Sequence, residues 1–241
     1  MILSKLEKSP AIELLQQILA EFCGTFILVF SVGVTQGGPL SVAPALWAVM
    51  LASGFVSGAQ FNPAVTIAVF TNAVLTKAPD LFKKLVITLV FITVQMLTSI
   101  IAADMAYLVI DSNDKNIALF DTATGIKESE GFLAEAFFSA VLTGVAVIGG
   151  TLTKSSILHT GLVATTVSAG DYAVGGYTGG CFNPAVGFGI NMVHKIQKGG
   201  SYHKMWLYIV APAVGGVIGG IFATFFSKFN KTQKDLRKDQ Y

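Results

Sequence analysis

The chain has 241 residues, of which 53% are hydrophobic and 12% charged, and its net charge is +2. An ordinary soluble domain carries about 25% charged residues, so this composition excludes a typical soluble fold. The small, dispersed net charge also argues against a nucleic-acid partner and predicts membrane lipid instead. The cysteines, Cys23 and Cys181, both lie in apolar or glycine-rich segments. That placement indicates neither a disulfide framework nor a metal site, and we expect no cofactor.

Apolar runs predict six membrane spans, each needing about 20 residues to cross the hydrocarbon. The predicted spans are 11–34, 40–58, 83–110, 131–152, 157–175 and 204–227. Two further apolar segments, 62–73 and 183–194, are too short to cross. The first ten residues have no cleavable apolar core, so we expect no removable signal peptide. These elements predict one channel domain over residues 1–241, with a cytoplasmic tail at 229–241.

The two halves of the chain repeat each other, at about 11–110 and 131–228. Phe-Asn-Pro-Ala-Val opens both short segments, at Asn62 and Asn183, and Ala-Glu recurs at Glu21 and Glu135. The asparagines are 121 positions apart and the glutamates 114, so equivalent features stay nearly in step. Because each half has three spans, the second half must be inverted, which places a shared site near the membrane midplane.

Each Asn-Pro-Ala signature predicts the start of a half-helix, since asparagine is a good N-cap and proline suits the first turn. Irregular backbone at membrane depth is tolerated only where it is buried or lines an aqueous path. Both helix N-termini would face the bilayer centre, each with about +0.5 charge, and would repel cations and protons. The asparagine amides would orient passing water. The sequence therefore predicts a pore for water and small neutral solutes that excludes protons.

The chain resembles the major intrinsic proteins, the aquaporin and aquaglyceroporin family, over nearly its whole length. The matching words are Ala20-Glu21-Phe22-Cys23-Gly24-Thr25-Phe26, Ser57-Gly58-Ala59-Gln60-Phe61-Asn62-Pro63-Ala64-Val65-Thr66, Gln95, Ala134-Glu135-Ala136 and Ala211-Pro212-Ala213-Val214-Gly215-Gly216. The resemblance implies an all-α membrane fold of six transmembrane helices and two re-entrant half-helices, assembled as a homotetramer. It also implies pore motifs at Asn62, Pro63, Ala64, Asn183, Pro184 and Ala185. Glu21 and Glu135 would anchor the re-entrant loops.

The chain departs from the family pattern at the selectivity filter. The usual histidine before the first signature is Gln60, and the usual arginine after the second is Val186. Matched spacing places the filter at Val42, Asp171, Gly180 and Val186, an opening that is wider and repels cations less. Gly-Gly-Cys before the second signature is similar to ammonia-permeable animal aquaporins, and Asn-Pro-Ala-Val to plant tonoplast proteins. We expect water with ammonia, hydrogen peroxide or urea, rather than glycerol.

Several residues keep two interpretations at this stage. Asp171 either replaces the filter's positive charge with a negative one that attracts ammonium or other cations, or lies at a helix end facing water. Cys181 is either a mercury-sensitive pore residue or a small apolar loop residue. Asp104 and the histidines His159, His194 and His203 are interpreted as interfacial.

The sixth predicted span contains two pairs of glycines. The pairs at 215–216 and 219–220 favour close packing within the bundle or the tetramer. The basic residues between spans two and three, between spans four and five, and at both ends predict cytoplasmic termini. They are Lys5, Lys8, Lys77, Lys83, Lys84, Lys154, Lys228, Lys231, Lys234, Arg237 and Lys238. The host membrane would be the plasma membrane or an intracellular or vacuolar membrane.

Other functions remain as alternatives to a water channel. A glycerol channel, a secondary transporter and a nonconducting junction protein would all use the same scaffold. An enzyme is disfavoured, because no nucleophile, base and orienting group recur at a plausible spacing.

Overall fold

The computed structural model of the chain describes residues 9–36, 38–110, 117–199 and 204–238, and the side chains at 151–152 and 230–238 are excluded from the description. Within these ranges the structure has eight helices and no strand. The helices are α1 Pro10–Thr35, α2 Pro39–Ser57, α3 Pro63–Leu75, α4 Leu81–Val109, α5 Glu128–Leu152, α6 Ser156–Thr178, α7 Pro184–Lys198 and α8 Met205–Lys238. The predicted all-α class is confirmed.

Five of the described helices, α1, α2, α4, α5 and α8, are long and apolar enough to cross a membrane. Large apolar side chains cover their outer faces, and Phe55 is 86% exposed. Helix α6 has 23 residues, enough for about 34 Å at about 1.5 Å per residue, but its threonines, serines and glycines make it less apolar. It packs between α2 and α5 and completes the six predicted spans by length and position.

The packing of the helices reproduces the repeat that the sequence predicts. Helices α1 to α4 correspond to α5 to α8, and the contacts of α1 with α2 and α4 recur as contacts of α5 with α6 and α8. Each half-helix also packs across the repeat, α3 against α8 and α7 against α4. Helices α2 and α6 touch each other, as do α3 and α7. The two halves are therefore interlocked around the half-helices.

The half-helices begin where the signatures predict. Helix α3 starts at Pro63 behind the N-cap Asn62, and α7 starts at Pro184 behind Asn183. The side-chain oxygen of each asparagine accepts a hydrogen bond from the N–H two residues on, over 2.8 Å in the first half and 2.9 Å in the second. Both helices run a few residues beyond their predicted ends, because no glycine or proline stops them there.

The glycine pairs of α8 let it approach its neighbours inside the chain. A Cβ atom at Gly220 would lie 2.7 Å from the carbonyl oxygen of Ala68 on α3, and one at Gly219 would lie 2.6 Å from that of Ala140 on α5. Both distances are far shorter than a normal van der Waals contact. Of the two expectations, the structure shows packing within the bundle.

Helix α8 continues to Lys238, beyond the predicted end of the span at 227. The added residues are mostly good helix formers, with no glycine or proline among them. Several predicted charges and the third histidine lie outside the described residues or side chains. These are Lys5, Lys8, His203, Lys231, Lys234, Arg237 and Lys238.

Candidate functional site

The first re-entrant loop, between α2 and α3, is held by the carboxylate of Glu21, which is fully buried in α1. Its oxygens accept hydrogen bonds from the Ser57 hydroxyl at 2.7 Å, the Gln60 N–H at 2.9 Å and the Phe61 N–H at 2.8 Å. The Gln95 amide of α4 adds a fourth, at 2.8 Å. A buried carboxylate needs hydrogen-bond donors of this kind. The same hydrogen bonds fix the backbone of the loop.

The second re-entrant loop, between α6 and α7, is held in the same way by Glu135 of α5. This carboxylate accepts hydrogen bonds from the Thr178 hydroxyl at 2.7 Å, the Cys181 N–H at 3.0 Å and the Phe182 N–H at 2.8 Å. In place of a fourth donor to the carboxylate, the Tyr208 hydroxyl of α8 donates to the Thr178 carbonyl at 2.7 Å. Both glutamates thus lie where loop anchors would have to lie.

Both loops adopt a strained backbone just before the signatures. Ala59 and Phe61 have φ values of 50° and 51°, and Gly180 and Phe182 have values of 64° and 50°. Residues other than glycine rarely adopt positive φ, and each such residue costs about 1–3 kcal/mol unless its surroundings enforce it. The glutamate hydrogen bonds and the buried phenylalanine rings provide that enforcement.

The asparagines exchange hydrogen bonds between the halves. The Asn62 amide nitrogen donates to the Phe182 carbonyl at 3.0 Å, and the Asn183 amide nitrogen donates to the Phe61 carbonyl at 3.0 Å. An amide nitrogen carries two hydrogens, so each asparagine retains one donor for another acceptor. The N-termini of α3 and α7 therefore meet at one place, with both side chains at their junction.

A cavity of about 360 Å³ passes this junction and is lined from both halves of the chain. At one end lie Val42, Asp171, Gly180 and Val186, which we call the Asp171 mouth. At the other end lie Asn72, Val147, Gly150 and His159, which we call the His159 mouth. The lining is mostly apolar, and among its described residues Asp171 is the one carboxylate and none is lysine or arginine.

All four predicted filter positions line the Asp171 mouth. A Cβ atom at Gly180 would lie 2.8 Å from the Asp171 Oδ1 atom, so this glycine leaves room for the carboxylate. The structure brings the four residues together at one end of the cavity.

Three residues of the lining were not predicted from the sequence to line it. His159 is half-buried in the first turn of α6; its ring packs on Gly149, its Nε2 atom lies 2.8 Å from the Ala146 carbonyl oxygen, and it lines the cavity. The Gly149-Gly150 pair was the available signal for a ring packed there. Gln60 and Asn72 also line the cavity, and the Gln60 Oε1 atom is buried without a partner among the described residues.

Cys181 and Asp104 lie in different surroundings. The buried Cys181 thiol lines the cavity and donates to the Asn183 carbonyl at 3.2 Å. Asp104 lies away from the cavity lining on α4 and accepts a hydrogen bond from Gln197 at 3.4 Å.

A segment before α5 closes over part of the Asp171 mouth, which the sequence did not predict. The Asn191 amide of α7 holds Phe120 of this segment through two hydrogen bonds, at 2.9 and 3.0 Å, and Phe120 lines the cavity. Lys204 pairs with Asp121 at 2.7 Å and donates to Thr122 at 2.8 Å. These contacts join residues far apart in sequence, so no local sequence pattern predicts them.

Comparison with known proteins decides the family. Residues 8–223 match the family described as Major intrinsic protein. The chain belongs to the major intrinsic protein family. It is 30% identical over 248 aligned residues to "Probable aquaporin NIP4-2" of Arabidopsis thaliana, covering 95% of this chain and 81% of that protein. It is 26% identical to "Probable glycerol uptake facilitator protein" of Thermotoga maritima, covering 83% and 95% of the two chains.

A solved structure supports the fold. The aquaglyceroporin from Plasmodium falciparum superposes with a TM-score of 0.75 at 23% identity, covering 92% of this chain and 99% of that one. As a major intrinsic protein, the chain is a multi-pass integral membrane channel for water and small solutes. It is not an enzyme.

Proposed function

We propose that this major intrinsic protein is a passive channel that conducts water and small neutral solutes and excludes protons at Asn62 and Asn183. The observation that carries the proposal is the reciprocal exchange between each asparagine and the phenylalanine carbonyl of the opposite half. It fixes both amides at the junction of two helix N-termini, beside the cavity. Pro63, Ala64, Pro184 and Ala185 form the first turns of those helices.

Proton exclusion follows from the charges at this junction. Each helix N-terminus carries about +0.5 of an elementary charge, so a cation at the junction faces about one full positive charge. The free amide hydrogen of each asparagine draws a water oxygen toward it. A water whose oxygen accepts from both amides donates to both of its neighbours in the file and accepts from neither, so the path for proton hopping is interrupted.

Solute size is set, in this proposal, at Val42, Asp171, Gly180 and Val186. None of these side chains is as large as arginine, and Gly180 has no side chain to narrow the opening. Ammonia, hydrogen peroxide and urea would pass with water. A relative described as a glycerol uptake facilitator makes glycerol the second candidate, although the sequence lacks the Arg-Asp that typically follows the second signature of aquaglyceroporins.

Orientation and assembly complete the proposal. Lys77 and Lys154 lie in connections at the end of the bundle that holds the His159 mouth, and Lys83 and Lys84 lie in the first turn of α4 at that end. This mouth would therefore face the cytoplasm, with both termini. The host membrane would be the plasma membrane or an intracellular or vacuolar one. We further propose the homotetramer that is typical of the family, with one pore in each subunit.

Stopped-flow light scattering on proteoliposomes tests the proposal. Water, urea, glycerol and ammonia fluxes are compared with those of empty liposomes and of liposomes holding Val186→Arg. We expect rapid water flux with added urea or ammonia flux in the wild type, and selective loss of the larger solutes in the variant. Absence of all fluxes, from protein that elutes as a folded species, would instead support a transporter or a junction protein.

A further inference from the structure

The Asp171 carboxylate is a charged group that the proposed conduction pathway does not explain. It is partly buried on α6 and lines the cavity, with its Oδ1 atom beside Gly175 and Gly180. Within the described part of the chain, no donor or cation pairs with it, and the ion pair between Lys204 and Asp121 lies elsewhere. A carboxylate partly withdrawn from water and left without a partner favours binding of a cation.

The repeat shows that this charge is not part of the shared scaffold. The equivalent positions, 121 residues earlier, of Asp171, Gly180 and Val186 are Met50, Ala59 and Val65. All three of these residues also line the cavity, and none is charged. The anchoring glutamates recur in both halves, whereas the pore carboxylate occurs in one. Its presence therefore requires a reason specific to the Asp171 mouth.

The surroundings of the carboxylate define the kind of cation that would fit. Val42 and Val186 provide apolar walls, and Gly180 leaves open space against the carboxylate oxygen. A small organic cation with N–H groups could donate to the carboxylate and lay an alkyl group on the valines. Farther in, the two helix N-termini oppose its passage.

We infer that the Asp171 mouth is a binding site for a small hydrogen-bond-donating cation of the alkylammonium class, which occupies the mouth without being conducted. A bound cation would obstruct the flux of water and neutral solutes, and this block would saturate as the cation concentration rises. That consequence rests on the proposed function as a channel.

Water flux in proteoliposomes tests the block, with methylammonium chloride equilibrated on both sides. Tetramethylammonium chloride at the same concentration is the control salt, since it carries the same charge but no N–H. We expect methylammonium to slow water flux in the wild type and Asp171→Asn to raise the half-inhibiting concentration about tenfold to a hundredfold, the range for losing a hydrogen bond to a charged group. Asp104→Asn removes the same charge outside the cavity and should be blocked like the wild type.

Binding is measured separately, by saturation-transfer NMR on the methyl group of methylammonium with the detergent-solubilised protein. We expect transfer in the wild type and in Asp104→Asn, and its loss in Asp171→Asn. Equal transfer in Asp171→Asn and the wild type, or no transfer in either, would overturn the cation site. A wild type that conducts no water but shows Asp171-dependent transfer would refute the proposed function and leave the site standing.

Discussion

The two halves of this channel share a scaffold but differ in what they present to the pore. The hydrogen bonds from Ser57 to Glu21 and from Thr178 to Glu135 are both 2.7 Å, and the two asparagine-to-carbonyl bonds are both 3.0 Å. The side chains that face the cavity diverge, with Met50 in the first half at the position that Asp171 occupies in the second.

This difference separates the residues that build the pore from the residues that determine which solutes it admits. The glutamates and asparagines position backbone, so their chemistry must be the same in both inverted halves. The mouths contact different solutions and solutes, so their side chains are free to differ. Variants at matched positions of the two halves test this separation, because scaffold pairs should respond alike and lining pairs should not.

The largest effect is expected when an anchoring glutamate is removed. Glu21→Ala leaves the Gln60 and Phe61 N–H groups without an acceptor, and Glu135→Ala does the same to Cys181 and Phe182. Breaking a buried charged network costs about 3–5 kcal/mol, so both variants should lose most of their folded yield and melt well below the wild type. Thermal melting followed by size-exclusion chromatography measures this.

The control for the anchors is Glu13→Ala, an exposed glutamate on the same helix as Glu21. It should melt like the wild type. Glu21→Ala should be the more damaging of the two anchor variants, because Gln95 gives Glu21 a further donor. Wild-type melting of either anchor variant would contradict the loop-anchoring role.

A second comparison introduces the same cation at matched lining positions. Val186→Arg brings its guanidinium to the mouth that holds Asp171, whereas Val65→Arg has Met50 at the corresponding place. An unpaired buried charge costs several kcal/mol, so Val65→Arg should fold poorly. Val186→Arg should fold, retain part of its water flux and lose urea flux.

Melting temperature and solute flux of the two arginine variants decide this comparison. When Val186→Arg is combined with Asp171→Asn, the arginine no longer has a carboxylate beside it, and the double variant should fold as poorly as Val65→Arg. If Val65→Arg and Val186→Arg had the same melting temperature, the Asp171 carboxylate would not be stabilising the arginine at position 186.

A smaller effect on folding but a clear one on selectivity is expected at the asparagines. Asn62→Asp and Asn183→Asp each lose the donor to the opposite carbonyl and add a negative charge beside the helix N-termini. The charge offsets the repulsion of protons, so proton leak should rise in both variants by similar factors. Proteoliposomes loaded with a pH-sensitive dye report this leak. Unchanged leak in both would remove the asparagines from proton exclusion.

The smallest effect is expected at Gly180. Its equivalent in the first half, Ala59, already has φ of 50°, so Gly180→Ala is compatible with the loop backbone at a cost of about 1 kcal/mol. The added Cβ would lie 2.8 Å from Asp171 Oδ1 and 3.0 Å from the Asp171 Cα atom, so it should displace the carboxylate and press on the backbone of α6. We expect a modestly lowered melting temperature and near-normal water flux with reduced urea flux. Ala59→Gly is the reverse change and should leave urea flux unaltered.

Local rules explain how much of this fold the sequence predicts. Asn62 and Asn183 cap helices that start one residue later, because an asparagine followed by proline leaves few other structures. The repeated glutamates inside spans indicated a paired or functional role, and the family resemblance implied that they anchor the loops. Helix α6 was predicted as a span from residues 157–175, although its threonines, serines and glycines make it less apolar.

Contacts between distant segments could not be predicted in the same way. No local sequence pattern indicates that the Asn191 amide hydrogen-bonds to the Phe120 backbone, or that the Gln95 amide donates to Glu21. The sequence left Asp171 between a pore residue and a helix end facing water, and only the packing of α6 beside the second re-entrant loop places its carboxylate in the cavity. The sequence also does not indicate that His159 lines the cavity, since its partner Ala146 lies on the preceding helix.

The central claim is that two inverted half-helices meet to make a path for water that protons cannot use. Simultaneous recording of water flux and proton flux in wild-type proteoliposomes tests it most directly. The account predicts water flux far above that of empty liposomes, with proton leak equal to theirs. A proton leak that rises with the amount of protein and of water flux, or no water flux from folded protein, would contradict it.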